Sequence, residues 1–534
     1  MDEVQCISYR DTGYFSDLIC DYLDQKPELA HLYHRFPAVE NFREQIEERS
    51  GFPPELRKTL STRLKAQYKN LQPPEADDQK VLQNLGLLED AQTFTITTGH
   101  QLNLFTGPLY FFYKIVSVIN LCKELKREYP EYNFVPVYWM ASEDHDFAEI
   151  NHINIYGGRL SWEKEASGPV GRLVTDSIEP VIKRLEEITG PGNRAKEIIE
   201  VLRKAYLKHS NLADATRYLV HHFFAGEGLV IVDGDDAELK KAMLPYFKKE
   251  LFDGVTLEEV SQTTAWLSDN YFEQVHARSV NLFYIKDGFR ERIDRKDDVW
   301  GVLDTDIRWS KDELIRELEE HPERFSPNAL LRPLYQEVIL PNLAYIGGGG
   351  ELAYWFQLKG LFDRLEVPFP MLVLRNSALI YTDRQNEKLQ RMELSVKDLF
   401  QPLHKVKSQL AAASAPVDPE LEPYQAKLEK MFDELEDVAN LTDKSMLGAV
   451  NAQRQKQLNG LDNLRKKLIR AEKRRNSEKM ERLEDIYLQL FPGESLQERH
   501  NNFISWYEEY GDQWLQKLLQ DLDPLDFRFK LIRF

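Results

Sequence analysis

Cysteine is scarce in this chain. There are three in 534 residues, Cys6, Cys20 and Cys122, and no two stand in CxxC spacing. That argues against a zinc ribbon or a disulfide framework and fits a reducing compartment. No apolar run approaches the ~20 residues of a membrane-spanning helix, and the opening MDEVQCISYRDTG lacks the basic start and apolar centre of a signal peptide. The expectation is a cytoplasmic protein with no membrane partner. Positive charge is also in deficit. A net charge of −19 disfavours general nucleic-acid binding, which needs clustered cations to release counterions, although a local basic patch could still bind phosphates.

What is present is the composition of a globular protein, 42% hydrophobic and 29% charged, in a chain long enough for two or three domains. The stretch TFTITTGHQLNLFTGPLYFFYKIV, residues 93–116, holds a histidine at a seam. Thr93 to Thr98 fit a buried strand, and Pro108 to Tyr129 read as a helix, with Thr106 able to cap it and Pro108 near its first turn. A second apolar run, Phe134 to Met140, changes abruptly to Ser142-Glu143-Asp144-His145-Asp146. Strand, crossover helix and strand make a βαβ unit, which lays the strands parallel and brings both carboxyl ends to one edge. His100 and the cluster Glu143 to Asp146 are therefore expected to meet there, where open parallel sheets bind ligands. The plainer reading is that they only cap helices. Polar density at two adjacent strand ends favours chemistry or ligand binding.

Further strands are expected at GLVIVDGDD, ending in Asp233, at NLFYIKDG, and at FPMLVLRNS, ending in Arg375. At least five strand ends then contribute polar groups to one rim. Gly347 to Gly350 precede a helix, so their amides can point at an anion, with Glu351 facing the same cleft. No Gly-Lys-Ser/Thr follows and GxGxxG spacing is absent, which excludes a Walker loop and a dinucleotide fingerprint. A tight turn needing positive φ is the alternative. Zinc would need His145, His152 and a cysteine in one place, and without paired cysteines no metal is expected.

The domain plan is α/β. A core over residues 1–382 begins with mainly helical sequence to about residue 92, broken at Pro53-Pro54 and Pro73-Pro74, and carries insertions at about 150–225 and 250–330. The second insertion contains a capping-box match, Ser310 with Glu313. From 383 to 491 the pattern is antiparallel helical coiled coil. One helix is expected at about 383–412, then a seam of Leu421, Tyr424, Leu428, Met431, Leu435 and Val438. A bend near Leu441 leads to a helix of about 443–489 with Leu461, Leu464, Leu468 and Ala471. Such a helix, on the order of 70 Å long, is expected to project and dimerise. The basic run Arg465 to Arg475 reads as exposed coiled-coil charge. Residues 492–534 form a C-terminal helix and tail expected to pack back on the core.

The segments TTGHQLNLFTGPLYFFYK, PVYWMASEDHDFAEINH and YIGGGGELAYW, with the C-terminal coiled coil, resemble the cysteine-adding ligase family that completes bacillithiol biosynthesis. The resemblance spans essentially the whole chain. It implies a Rossmann-like core akin to class I aminoacyl-tRNA synthetases, a coiled-coil domain for homodimerisation, and addition of cysteine to glucosaminyl-malate. Amide formation from a carboxylate needs activation, which implies ATP or another nucleotide. His100 and Gln101, flanked by Gly99, Thr106 and Gly107, would correspond to the synthetase HIGH signature, although only a Gly-His pair is shared and no KMSKS-like loop is present. Asp144, His145 and Asp146 would bind the cysteine ammonium or take the proton from the sugar amine. A nucleotidyltransferase-like enzyme with another acceptor, and a coiled-coil scaffold with an inactive cleft, are the competing readings.

Overall fold

The structure, a computed structural model, describes residues 4–69, 71, 78–272, 274–286, 288–413 and 421–534. The break expected at Pro73-Pro74 lies outside them. Two compact units form, Met1–Ile380 with Ser495–Ile532, and Tyr381–Glu494 with Arg533–Phe534.

The first unit is built on five parallel strands: β1 (Thr93–His100), β2 (Asn133–Met140), β3 (Val230–Asp233), β4 (Asn342–Gly347) and β5 (Met371–Leu374). Their spatial order is β5-β4-β1-β2-β3, and every pairing is parallel. Helix α1 (Tyr110–Glu128) crosses from β1 to β2. All eight residues of β1 are buried, as a strand covered on both faces must be. Phe94 and Ile96 pack with Val118, Leu121 and Leu125 of α1 and with Ile346 and Val373 of the neighbouring strands. Lys126 and Arg127 stand in the last turn of α1, where the helix dipole favours cations.

Three local expectations change. The strand does not stop at Thr98 but pairs through Gly99 and His100, opposite Trp139 and Met140. Thr106 does not cap α1. Phe105, Thr106 and Gly107 all take positive φ, the Asn502 side chain donates to the carbonyls of Phe105 and Gly107, and the helix starts from Leu109 without a side-chain cap. A Cβ on Gly107 would lie 2.6 Å from that of Asn103, so shape explains this glycine. The N-terminal region also contains a strand, Gln5–Ser8, antiparallel to Arg528–Arg533 at the far end of the chain. No local pattern could announce a partner so distant.

The insertions carry their own structure. His152–Ile155 and Gly158–Ser161 form a hairpin. NLFYIKDG joins a separate five-stranded sheet whose pairings are antiparallel. Ser310 and Glu313 make the expected capping box. Helix α2 (Phe147–Ile150) follows β2, α3 (Arg332–Ile339) precedes β4, and α4 (Gly349–Phe356) follows it.

In the second unit the helix expected at 383–412 is broken into Asp383–Gln390, a 3-10 turn Val396–Phe400, and Leu403–Ala413. Glu393 with positive φ and Pro402 account for the interruption. Helices α5 (Glu422–Thr442) and α6 (Leu447–Leu490) follow and pack against each other. The seam keeps Leu428 and Leu461, both half-buried, but differs from expectation elsewhere. Tyr424 is 59% exposed and Val438 55%, and Met431, Leu435, Leu464 and Leu468 are also exposed, while Phe432 and Ala439 are the residues of α5 that are buried. One residue of offset rotates a helix face by ~100°.

Candidate active site at the strand ends

After β1 the chain moves outward through β2 to β3, then returns to the other side of β1 for β4 and β5. The reversal falls between β1 and β4, and that is where open parallel sheets form their ligand crevice. The crevice therefore joins Gly99 and His100 to Gly347 and Gly348, whereas the sequence pointed to β1 and β2.

His100 is buried between the rings of Tyr110 and Phe111, at centroid distances of 5.3 and 5.2 Å. Burial pushes its pKa well below the usual histidine value, and Lys114 and Arg375 push the same way. It is a neutral imidazole at physiological pH, and its Nε2 has no hydrogen-bond partner. Lys114, also buried, donates to the Gly99 carbonyl at 2.8 Å and pairs with Glu351 at 2.5 Å. Glu351 accepts from the Gly348 amide and the Tyr345 hydroxyl, each at 2.8 Å. Desolvation opposes its charge, but Lys114 and these donors outweigh it and hold the carboxyl below its ordinary pKa.

None of Gly347 to Gly350 has positive φ, so the tight-turn alternative fails. What Gly347 supplies is room: a Cβ there would lie 2.8 Å from Leu352 Cδ1 and 2.9 Å from Tyr345 Cε1. The chain's own Glu351 holds the Gly348 amide that an anion was expected to use. Arg375 is not open at the rim either. It is buried against Glu498 at 2.7 Å, a residue of the C-terminal segment.

On the other side of His100, Gln101 Nε2 donates to Asp144 at 2.8 Å and to Glu149 at 2.9 Å. Gln101, rather than His100, is thus the link to the acidic cluster. His145 Nδ1 lies 2.8 Å from Arg290 Nη1. Asp146 caps α2 by accepting from the Glu149 amide at 3.2 Å, the capping role that the plainer reading assigned. Glu143 pairs with buried Lys240 at 2.6 Å, and burial raises its pKa. Asp233, at the end of β3, accepts from the Ser142 hydroxyl, and burial raises its pKa too. Among the described residues no group of three or more His, Cys, Asp or Glu is placed to hold a metal.

Lys114, Tyr345, Glu149 and Arg332 were missed from sequence. Lys114 left a signal, a lysine within an apolar helix run. Arg332 left none. Its guanidinium lies over Tyr345 and Trp139, at 5.5 and 5.9 Å from the ring centroids.

Fold and site together define a Rossmann-like α/β protein with a cluster of polar side chains at its switch point and an appended helical hairpin. Comparison with known proteins makes this particular. The N-terminal Rossmann-like domain of bacillithiol biosynthesis BshC matches residues 2–376, and its C-terminal coiled-coil domain matches residues 378–534. The chain belongs to the BshC family of bacillithiol biosynthesis. It is 49% identical over 528 residues to a Flavobacterium johnsoniae protein, with 99% of each chain covered. It is 45% identical over 535 residues to one from Christiangramia forsetii, with the same coverage, and 39% identical over 529 residues to one from Cytophaga hutchinsonii, covering 99% and 98%. All three relatives carry the name "Putative cysteine ligase BshC". A solved Campylobacter jejuni chain titled "putative arginyl t-RNA synthetase" aligns with a TM-score of 0.21 and 11% identity over 84% of this chain and 99% of its own, too low to bear on either fold or function.

Proposed function

We propose that this protein is a ligase that joins cysteine to glucosaminyl-malate through an amide, completing bacillithiol. The observation that carries the reading is the polarity of the crevice. Gln101, next in the chain to buried His100, gathers the carboxylates Asp144 and Glu149, while beside Gly99 stand Arg332 and Lys114, the latter already paired with Glu351. An amino acid carries the complementary pair of charges.

Activation uses ATP or another nucleoside triphosphate as a substrate. The cysteine carboxylate attacks the α-phosphorus and pyrophosphate leaves. The sugar amine then attacks the acyl carbon, the nucleoside monophosphate leaves with the bonding pair, and the amine proton passes to a base, for which Asp144 and His145 are the candidates. His100 Nε2 donates a hydrogen bond to the charge that develops, an interaction strongest in a site shielded from water. Asp144 and Glu149 hold an amine until transfer.

Two companion readings follow the family. The exposed apolar residues Tyr424, Met431, Leu435 and Val438 support homodimerisation through the hairpin, and Leu435→Asp should release monomers in sedimentation. Three free cysteines and the absence, among the described residues, of any helix long and apolar enough to cross a membrane support work in the cytoplasm. The deciding experiment is incubation of the purified chain with cysteine and glucosaminyl-malate, with and without ATP, followed by mass spectrometry of thiol products. Formation of the cysteinyl amide only with ATP is the expected result. No such product under any nucleotide would end the ligase reading.

A further inference from the structure

From the geometry around the ends of β4, β1 and β2 we infer that Arg332 is the anchor for a substrate carboxylate. The inference rests on the ligase reading and adds a residue and a chemical group to it.

The cations around the crevice differ in what they already hold. Lys114 is paired with Glu351, Arg375 with Glu498, and Lys240 with Glu143. Arg290 is engaged by His145, Ser326 and the Pro327 carbonyl. Arg332 stands apart. Among the described residues no carboxylate lies within ion-pair distance of it. Its Nη1 donates to the neutral Gln336 side chain at 3.0 Å, the Tyr354 hydroxyl lies against the same guanidinium, and Nη2 is shielded from water without a hydrogen-bond partner. A guanidinium stays charged at any physiological pH. Glu351 attracts this charge from beyond ion-pair distance, but the hydrogen bond left unmade at Nη2 is unfavourable away from water, and a ligand anion relieves it.

Position and support argue the same way. The guanidinium lies over Tyr345 of β4 and Trp139 of β2. A Cβ built on Gly99 of β1, between those strands, would sit 3.6 Å from Nη1. The charge is thus centred on the switch point, one residue from His100. Gln336 is itself fixed, donating to Glu337 at 2.7 Å, so the arginine is braced before any ligand arrives. Arg332 as a whole is half-buried rather than sealed.

A carboxylate fits better than a phosphate. Phosphates are held by clusters of backbone amides at a helix N-terminus, and here Glu351 already takes the Gly348 amide. A planar fork grips either group two bonds at a time, so the choice rests on the amides already taken and on the groups the substrates carry. Both proposed substrates carry carboxylate, cysteine one group at its α-carbon and glucosaminyl-malate two on its malyl group.

The test is calorimetric titration of the full chain and of Arg332→Gln with two matched pairs. Cysteine is compared with cysteamine, which lacks the carboxylate, and glucosaminyl-malate with methyl glucosaminide, which lacks the malyl group. The native chain should prefer the carboxylate-bearing member of at least one pair by roughly ten- to a hundredfold, the range for a hydrogen bond to a charged group. Arg332→Gln should erase that preference while binding the carboxylate-free member as before. The pair that responds identifies which substrate is anchored. Arg332→Lys keeps the charge but loses the fork, so an intermediate preference is expected. It also provides the measurement if the glutamine variant does not fold. A preference retained in both variants, or absent from the native chain, overturns the anchor alone. A native chain that binds neither cysteine nor glucosaminyl-malate brings down the ligase reading as well.

Discussion

In the parallel-sheet unit Lys114, Arg375 and Glu498 are buried, each with a partner at 2.5 to 2.7 Å. In the helical hairpin Arg454 meets Asp433 at 2.7 Å and Glu436 at 3.0 Å, with the Asp433 side chain 66% exposed. The residue types and distances are similar, but the surroundings differ. In water a salt bridge contributes little, because solvent screens it and ordering long side chains offsets the gain. Away from water each partner depends on the other, since either one alone would be a buried unpaired charge. The apolar residues divide the same way. Phe112 is wholly buried against Phe224, Phe503 and Trp514, whereas Leu435 in the hairpin is open. Chemistry has to work in the first setting, where a fixed charge is strong. The second suits an exposed surface.

The largest break in this contrast should come from packing. Phe112→Ala is expected to cost about 3–5 kcal/mol of stability, and Leu435→Ala less than about 0.5 kcal/mol for the monomer. Denaturant titration measures both, and equal losses would mean that burial does not separate the two units. Removing half of the buried pair comes next. Glu498→Gln leaves Arg375 buried without its counter-charge and should cost about 3–5 kcal/mol, whereas Arg454→Gln in the hairpin should cost about 1 kcal/mol or less.

The third prediction moves from stability to turnover. His100→Ala should slow thiol formation by about 10²- to 10³-fold, the usual loss for one hydrogen bond aimed at developing charge. The apparent affinity for cysteine should hardly change. Single-turnover kinetics would show this, and normal turnover would return His100 to a structural part.

The smallest effect is a pH dependence. Burial first, then Lys114 and Arg375, depress the folded pKa of His100. Below about pH 6.5 the unfolded chain takes up a proton at this residue while the folded chain resists it. Its contribution to stability is therefore complete above about pH 6.5 and declines as pH falls toward the folded pKa, with a slope of at most about 1.4 kcal/mol per unit. His100→Asn should flatten the loss of stability between pH 7 and pH 5. Parallel curves for variant and native chain would argue against a buried neutral histidine.

While NLFYIKDG, counted toward the same rim, joins the separate antiparallel sheet, the sequence by itself determined four of the five buried parallel strands, the crossover helix, the hairpin of long helices and the family. Each of these is written in local periodicity or in contiguous motifs such as TTGHQLNLFTGPLYFFYK. It also brought out His100 and the acids after β2, because polar residues at the end of an apolar run stand out within a few positions. The tertiary structure decided which strand lies beside β1, and so moved the crevice from β2 to β4. It gave Arg375 to Glu498, 123 residues away, and Glu351 to Lys114. It turned the hairpin seam by one residue, to Phe432 and Ala439. Among the described residues it also left Arg332 with no carboxylate within ion-pair distance, Glu351 acting on it from farther off. Periodicity specifies that a face is covered, but a charge is matched by whatever the fold brings within about 4 Å, and that proximity is not encoded in any local stretch of the chain.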